Sequence, residues 1–337
     1  MRYHPAMRVS KSLALALVTV TVMLAIDRAP AQEFVPAIVF DMGGKFDKSF
    51  NEAAYTGAER FKKETGIAYR EFEVTNEAQR EQALRTMARR GSPIVVGIGF
   101  GQATGMDKVA REFPSLKFAI VDAVVDLPNV QSIVFKEHEG SFLVGMAAAM
   151  ASKTGKIGFV GGMDIPLIRR FAVGYVEGAK YVNPKIEIYQ NMTGTTPAAW
   201  NDPTRGGELA RSQFDRGADV VYAAAGATGL GVLQAAKDRG RLAVGVDSNQ
   251  NHIQPGTVLT SMIKRVDLAI YQTFKTAKDG TWKPGVRSLG VAEGGVGYTI
   301  DQYNRSLITP EMEKRLEQAR ADIVAGKIKV TDYMAQK

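Results

Sequence analysis

The chain has 337 residues, of which 45% are hydrophobic, so it is long enough to build two domains with apolar cores. Its net charge of +8 comes from basic residues scattered among acidic ones, a pattern typical of a solvated surface, which argues against a nucleic acid as partner. The chain has no cysteine, and this excludes thiol nucleophiles, disulfides and thiolate zinc sites.

The first 31 residues are predicted to be a cleavable export signal. Arg2, Arg8 and Lys11 precede an apolar stretch at residues 13–26, and small residues end the segment at Ala31. Cleavage there would remove four basic residues and one acidic residue, so the charge of +8 would fall by 3 to +5. No later segment reaches the length of a membrane span, so the cleaved chain is expected to be soluble. Without a cysteine at the junction, we expect a periplasmic protein that is not lipid-anchored.

Short apolar runs alternate with helical patterns from residue 35 to about residue 250. Strands are predicted at 37–40, 68–74, 94–98, 117–121, 130–135, 156–160, 185–189, 220–224 and 242–246. Helices are predicted between them at 52–65, 78–90, 141–152, 168–182, 205–216 and 229–238. This alternation predicts an α/β protein with parallel sheets covered by helices on both faces.

The strands are too numerous for one compact unit, and the pattern restarts near Gly155, so two similar lobes are expected, each a doubly wound parallel sheet. A strand at 258–263, a helix at 267–279 and a strand at 288–291 predict that the chain returns between the lobes. Thr309 is the predicted N-cap of a last helix at 310–325. The first lobe is expected to comprise 34–138 plus 265–290, and the second lobe 139–264 plus 291–337.

Reactive groups typical of enzymes are scarce in this sequence. It contains no GxSxG turn, HExxH helix or GxxxxGK[ST] phosphate loop. His138 and His252 each lie alone in a polar context and are expected at the surface rather than as catalytic bases. The glycine-rich run at 226–231 lacks the full dinucleotide spacing, so a turn is expected there. The sequence favours binding over catalysis, with no cofactor and no metal.

Polar residues stand where several predicted strands end. Asp41, Asp122 and Asp247 each follow a strand, and Gly226 follows another. These ends should converge on a cleft between the lobes, because open parallel sheets bind ligands at their carboxyl edges. The block at 41–52 adds two phenylalanines, a serine and an asparagine between a strand and a helix. Aromatic faces beside directed hydrogen bonds suit a nucleoside.

The block DxGGxFDxSFN at 41–51, together with Asp122 and the segments 200–203, 246–248 and 261–264, resembles the basic membrane protein family. The resemblance runs from about residue 35 to residue 329. That family comprises nucleoside-binding receptors of ABC importers. It implies a type I periplasmic binding fold with three hinge crossovers, a purine nucleoside as ligand, an inner-membrane permease as partner, and a monomer.

The resemblance also implies the ligand-binding residues, which are Asp41, Phe50, Asn51, Asp122, Trp200, Gly226, Asp247 and Lys264. Phe50 and Trp200 match the two aromatic rings that stack on the base, although many relatives have phenylalanine at the second position. Stacking is worth about 1 to 3 kcal/mol per base, so this pair would be the main source of affinity. Gly226 suits a point where the ligand approaches the backbone closely.

The remaining residues are polar and would hold the edges of the ligand. By resemblance, Asp41, Asn51 and Asp122 meet the polar edges from the first lobe. Asp247 and Lys264 match the residues that hold the ribose hydroxyls, as acceptor and donor. Lys264 would also reduce the repulsion among the aspartates.

Two other functions stay open at this point. A receptor for another small molecule, such as a free nucleobase, a sugar or a quorum signal, could have the same fold. A ligand without a base, such as a sugar or a quorum signal, would gain little from two stacking aromatic rings. A nucleoside-cleaving enzyme could use Asp41 or Asp122 to activate water, typically with calcium held by several aspartates. The lysine opposite the carboxylates and the export signal favour the receptor.

Overall fold

The structure is a computed structural model that describes residues 1–2 and 34–335. Apart from its first two residues, the predicted export signal at 1–31 lies outside the described residues, as does its cleavage site. Every element described below belongs to the compact unit Phe34–Lys337. Among the described residues, no helix combines the length and the hydropathy needed to cross a membrane.

The first part of this unit alternates strands with helices. Its elements are β1 (Ala37–Phe40), α1 (Phe50–Thr65), β2 (Arg70–Glu73), α2 (Gln79–Arg89), β3 (Ile94–Gly97), α3 (Ala103–Glu112), β4 (Lys117–Val121) and β5 (Val130–Phe135). The four residues of β1 are all buried, as expected of a parallel strand covered on both faces.

The second part repeats the alternation and adds elements that return to the first. It begins with α4 (Glu137–Ala151), β6 (Lys156–Met163), α5 (Pro166–Val182), β7 (Glu187–Gly194), α6 (Pro203–Asp215), β8 (Val220–Ala224), α7 (Gly229–Asp238), β9 (Leu242–Asp247) and β10 (Val258–Lys264). It ends with α8 (Val266–Lys278), β11 (Gly285–Leu289), β12 (Val296–Tyr298) and α9 (Pro310–Val324).

Within the described residues the strands form two six-stranded sheets with corresponding orders. The first is β11-β5-β4-β3-β1-β2 and the second is β12-β10-β9-β8-β6-β7. Neighbouring strands are parallel, except that β12 runs antiparallel to β10. The predicted α/β fold with two parallel sheets is therefore confirmed. Since the orders match, β1 corresponds to β6 and β4 corresponds to β9.

Alternate residues of β1 enter different cores, which is the signature of a doubly wound sheet. Ile38 and Phe40 pack with residues of α1, such as Phe61. Ala37 and Val39 pack on the other face, with residues of α2 and α3. The helices on both faces leave the carboxyl edge of the sheet as the open end, and this edge is where a ligand can enter.

Three crossovers join the lobes in the described part of the chain, as the resemblance implied. The chain passes from β5 to α4 at Lys136, from β10 to α8 at Arg265, and from β11 to β12 at Gly290. The lobe limits 34–138 plus 265–290 and 139–264 plus 291–337 stay a prediction.

The structure departs from the predicted elements in three places, one of which is β12, a short strand that was not predicted. The strand predicted at 288–291 is wrong, because Gly290 begins a turn and β11 starts earlier, at Gly285, with mostly exposed residues that give no apolar signal. Helix α3 was not predicted, since Gly105 weakens its helical pattern. A Cβ at Gly105 would lie 3.0 Å from the Glu81 Cα, so glycine permits α2 and α3 to pack closely.

The cap of the last helix is as predicted. Thr309 Oγ1 accepts from the Met312 N–H at 3.2 Å, and proline occupies the first turn of α9. The helix ends at Val324, shortly before Gly326, which has a positive φ.

Candidate functional site

A cavity with about 600 Å³ of empty space lies between the lobes, where strands of both sheets end. The eight predicted residues all line it, namely Asp41, Phe50, Asn51, Asp122, Trp200, Gly226, Asp247 and Lys264. The structure thus brings the predicted set together, while the role of each residue in ligand binding stays a prediction.

The loop from β1 to α1 is held in shape by two of its own side chains. Asp47 accepts from the N–H groups of Ser49, Asn51 and Glu52 at 2.8, 3.0 and 3.1 Å, so it satisfies the free donors at the start of α1. Asn51 accepts from the Asp41 N–H at 3.2 Å and donates to the Asp41 carbonyl at 3.3 Å. The loop is therefore rigid before any ligand arrives.

The two predicted stacking residues enter the cavity from opposite lobes. Phe50 is the first residue of α1, and Trp200 ends a short 3-10 turn in the second lobe. A Cβ at Gly162 would lie 2.2 Å from the Trp200 indole, so the ring packs against the glycine backbone of β6. Thr228 Oγ1 donates to the Ala199 carbonyl at 2.8 Å and so fixes this turn.

A buried lysine lies at the centre of the charged wall. Lys264 Nζ is 2.6 Å from Asp122 Oδ2 and 3.0 Å from Glu137 Oε1, and its side chain is 2% exposed. Burial would lower the pKa of Lys264, but the carboxylates of Asp122, Glu137 and Asp247 outweigh that effect and raise it. Nζ also lies 5.0 Å from the centre of the Phe50 ring, which adds a cation–π contact.

Asp122 and Asp247 lie at the carboxyl ends of two corresponding strands, since Asp122 follows β4 and Asp247 ends β9. Their φ angles are +68° and +63°, a region that non-glycine residues seldom occupy and that is enriched at functional sites. Burial raises the pKa of Asp122 to about 6, against the opposing charge of Lys264. Asp122 Oδ1 is buried and has no hydrogen-bond partner among the described residues.

The other two aspartates are held by different groups. Arg80 Nε and Nη2 each lie 3.0 Å from Asp41 Oδ1. Ser49 Oγ donates to Asp247 Oδ2 at 2.5 Å across the gap between the lobes. Across residues 1–2 and 34–335, no group of three or more histidine or acidic side chains is arranged to hold a metal ion.

Several residues at the site were not predicted. Glu137, Arg80 and Ser49 act from behind the cavity wall or across the lobes, and Phe100 and Phe171 line the cavity itself. The phenylalanines follow a strand end and a helix start, which is a signal that the sequence does carry. The ion pairs join residues far apart in the chain and leave no local pattern.

One histidine was placed wrongly. His138 lies in α4 and is 5% exposed, whereas a surface position was expected. The polar neighbours that suggested a loop are Glu137 and Glu139, which instead begin the helix at the first crossover. His252 is exposed, as predicted.

Comparison with known proteins identifies the family. A model of the Bmp family, described as ABC transporter substrate-binding protein PnrA-like, matches residues 34–333. The chain belongs to the Bmp family. This Bmp protein is 32% identical over 317 residues to the ABC transporter nucleoside-binding protein BmpA of Lactococcus lactis subsp. cremoris, covering 87% of this chain and 88% of the relative. The predicted resemblance is confirmed.

A solved structure supports the same assignment. The crystal structure of an ABC transporter system solute-binding protein from Aeropyrum pernix K1 matches the Bmp protein with a TM-score of 0.81 and 29% identity, covering 89% of this chain and 96% of that one. The Bmp protein is thus a substrate-binding protein of an ABC transporter, with the two-lobed fold of such receptors.

A further relative corrects the predicted location. An uncharacterized lipoprotein of Pyrococcus horikoshii is 38% identical over 274 residues, covering 78% of the Bmp chain and 68% of the relative. The prediction of a periplasmic protein that is not lipid-anchored is therefore wrong. That prediction used the missing cysteine as evidence of location. The absence of one attachment residue does not determine whether a receptor is attached to a membrane. The comparisons support an extracellular binding protein.

Proposed function

We propose that this Bmp protein binds a purine nucleoside between its lobes and delivers it to a membrane permease. The observation that carries the proposal is one cavity lined by Phe50 and Trp200, from opposite lobes, and by Asp122, whose Oδ1 has no hydrogen-bond partner among the described residues. A base would stack on the rings, and a hydroxyl or N–H group would satisfy the carboxylate. The Lactococcus relative, named a nucleoside-binding protein, supports this ligand class.

The charge of the cavity favours an uncharged ligand. Asp122, Asp247 and Glu137 act on the ammonium of Lys264; Lys264, Asp247 and Glu137 are buried, and the side chain of Asp122 is 5% exposed. An added phosphate would meet this negative charge at low dielectric, whereas hydroxyl groups can donate to it. Nucleosides therefore suit the cavity better than nucleotides.

The alternatives are less well supported by the geometry. The three predicted aspartates are held separately, by Arg80, Lys264 and Ser49, as expected of recognition rather than of a shared calcium site. A free sugar would leave the two aromatic side chains without a base to stack on.

Isothermal titration of ligand-stripped protein tests the proposal. Adenosine, guanosine and inosine are expected to bind, and adenosine 5′-monophosphate to bind at least about 100-fold more weakly because its phosphate meets buried carboxylates. Cytidine, free purine bases and D-ribose complete the series. Absence of binding by every purine nucleoside, tightest binding of ribose, or release of free base during incubation would each contradict the proposal.

A group of hydrogen bonds between the lobes stabilises their closed arrangement. We call this group the latch, and its residues are Lys48, Ser49, Asp247, Ser248 and Gln250. Besides the Ser49 to Asp247 bond, Ser248 Oγ donates to the Ser49 carbonyl at 2.7 Å and Gln250 Nε2 donates to the Lys48 carbonyl at 3.0 Å. Because these bonds bridge the lobes, they form only in the closed state.

Replacement of Ser49 by alanine is expected to speed nucleoside dissociation about 3- to 10-fold, since it removes one net hydrogen bond from the closed state. Stopped-flow fluorescence measures this rate. Ser92→Ala is the matched control, because Ser92 is equally buried but lies within the first lobe. Equal dissociation rates in wild type and Ser49→Ala would show that the latch does not stabilise closure.

A further inference from the structure

We propose that Arg80 is a positioning residue for base recognition. It binds one carboxylate oxygen of Asp41, and the other oxygen is left as a hydrogen-bond acceptor. That acceptor selects bases that carry an N–H donor. This inference rests on the proposed function, because it concerns the edge of a base in the same cavity. Arg80 belongs to α2, contacts Asp41 and is not among the residues that line the cavity.

The protein donors converge on a single oxygen of Asp41. Oδ1 accepts from the Met42 N–H at 2.9 Å and from Arg80 Nε and Nη2, each at 3.0 Å. Oδ2 accepts no hydrogen bond from any described residue. Asp41 lines the cavity and is 8% exposed, so Oδ2 is open to a donor that a ligand can supply.

The surroundings keep both groups in place. The Arg80 side chain is 12% exposed, and a Cβ at Gly101 would lie 2.5 Å from its guanidinium carbon. The guanidinium therefore packs directly on the backbone of the loop after β3. A Cβ at Gly99 would lie 2.6 Å from Asp41 Oδ2, so only glycine leaves room beside this oxygen. The loop after β3 therefore packs against both members of the ion pair, with Gly99 beside Asp41 and Gly101 beside Arg80.

Arg80 also sets the charge of the acceptor. Burial raises the pKa of Asp41, and the guanidinium of Arg80 opposes this rise. A protonated carboxyl could donate as well as accept, and it would no longer distinguish a donor from an acceptor on the base. With Arg80 in place, Asp41 is an anionic acceptor with one fixed orientation.

The expected preference follows from the chemistry of purines. Adenosine has a 6-amino group and inosine has an N1–H, so each can donate to Oδ2. Purine riboside has neither donor but keeps the same ring system and ribose. We therefore expect purine riboside to bind about 10- to 100-fold more weakly than adenosine, the loss typical of a hydrogen bond to a charged group.

Titration of wild type and Arg80→Met with adenosine, inosine and purine riboside tests the inference. In Arg80→Met the ratio of the adenosine and purine riboside affinities should fall to about 3 or less, since the fixed anionic acceptor is lost. Arg80→Lys keeps the charge and should retain part of the ratio. Arg85→Met is the matched control, because Arg85 lies on the same helix but pairs with Glu81 and Glu112. Thermal melting checks that each variant folds.

The outcomes separate this inference from the proposed function. Equal affinity of wild type for adenosine and purine riboside would overturn the role of Asp41 Oδ2, while nucleoside binding would stand. A uniform loss for all three ligands in Arg80→Met, without rescue by lysine, would show a merely structural role for Arg80. Absence of binding by any nucleoside to wild type would refute the proposed function itself.

Discussion

Replacement of Trp200 by alanine is expected to weaken purine nucleoside binding about 5- to 150-fold, the range given by the loss of one base–aromatic stack. The indole packs against Gly162 and lines the cavity, so its removal opens space on one side of the base. Isothermal titration measures the change. The effect should fall mainly on the dissociation rate, because the ring contacts the ligand after the lobes close.

Two control variants make this prediction specific. Trp200→Phe keeps an aromatic face and should bind within about fivefold of wild type, since a smaller ring still stacks. Trp282, the second tryptophan of the chain, does not line the cavity, so Trp282→Phe should leave affinity unchanged. If Trp200→Ala binds nucleosides as tightly as wild type, base stacking by this residue is refuted, and a hydroxyl-only ligand becomes the better hypothesis.

Replacement of Lys264 by methionine is expected to lower the free energy of unfolding by about 3 to 5 kcal/mol, because removal of one partner leaves buried charges without compensation. Asp122, Glu137 and Asp247 would then repel one another in a cavity with little water. Urea denaturation measures the stability, and titration should show a parallel loss of nucleoside binding. Lys275→Met, which removes an exposed lysine, should change stability by less than about 1 kcal/mol.

The stability loss in Lys264→Met should grow with pH. The pKa of Asp122 is raised from 3.8 to about 6, so between these values the folded protein holds a proton that the unfolded chain has released. This group therefore contributes stability at low pH that is lost as the pH rises towards 6. Without Lys264 the pKa of Asp122 rises further, so the difference from wild type should widen as the pH rises above about 6.

A second substitution tests the cause of this loss. Lys264→Met combined with Asp122→Asn removes one of the opposed carboxylates, so the double variant should be more stable than Lys264→Met alone. Its stability should also depend less on pH. A double variant that is less stable than the single one, with the same pH dependence, would show that packing of the lysine chain rather than its charge matters.

The order of elements could be predicted because it depends on local patterns. Buried parallel strands such as β1 are continuously apolar, and the helix at Pro310 is marked by its Thr309 cap. The prediction failed at β11, an edge strand with exposed residues, and at α3, where Gly105 is present for packing rather than for helix formation. At both places tertiary contacts override the local signal.

Most of the predicted site residues lie at a strand end or where the chain passes from β1 to α1, whereas Trp200 ends a 3-10 turn. Parallel strands bring such ends to one edge, so the convergence of Asp41, Asp122 and Asp247 could be expected from the strand pattern alone. The resemblance implied Lys264 as a partner of these aspartates, but Arg80 and Ser49 could not be predicted, because they come from separate elements of the fold.

The sequence by itself predicted the fold class, the family and eight of the residues that line the cavity, because strand periodicity, turn glycines and the block at 41–51 are all local. The tertiary structure alone decided which charges meet. It placed Glu137 behind Lys264, gave Arg80 to one oxygen of Asp41, and joined Ser49 to the opposite lobe. Such pairs depend on distances of a few ångströms between residues distant in the chain, and no pattern along one strand or helix encodes them.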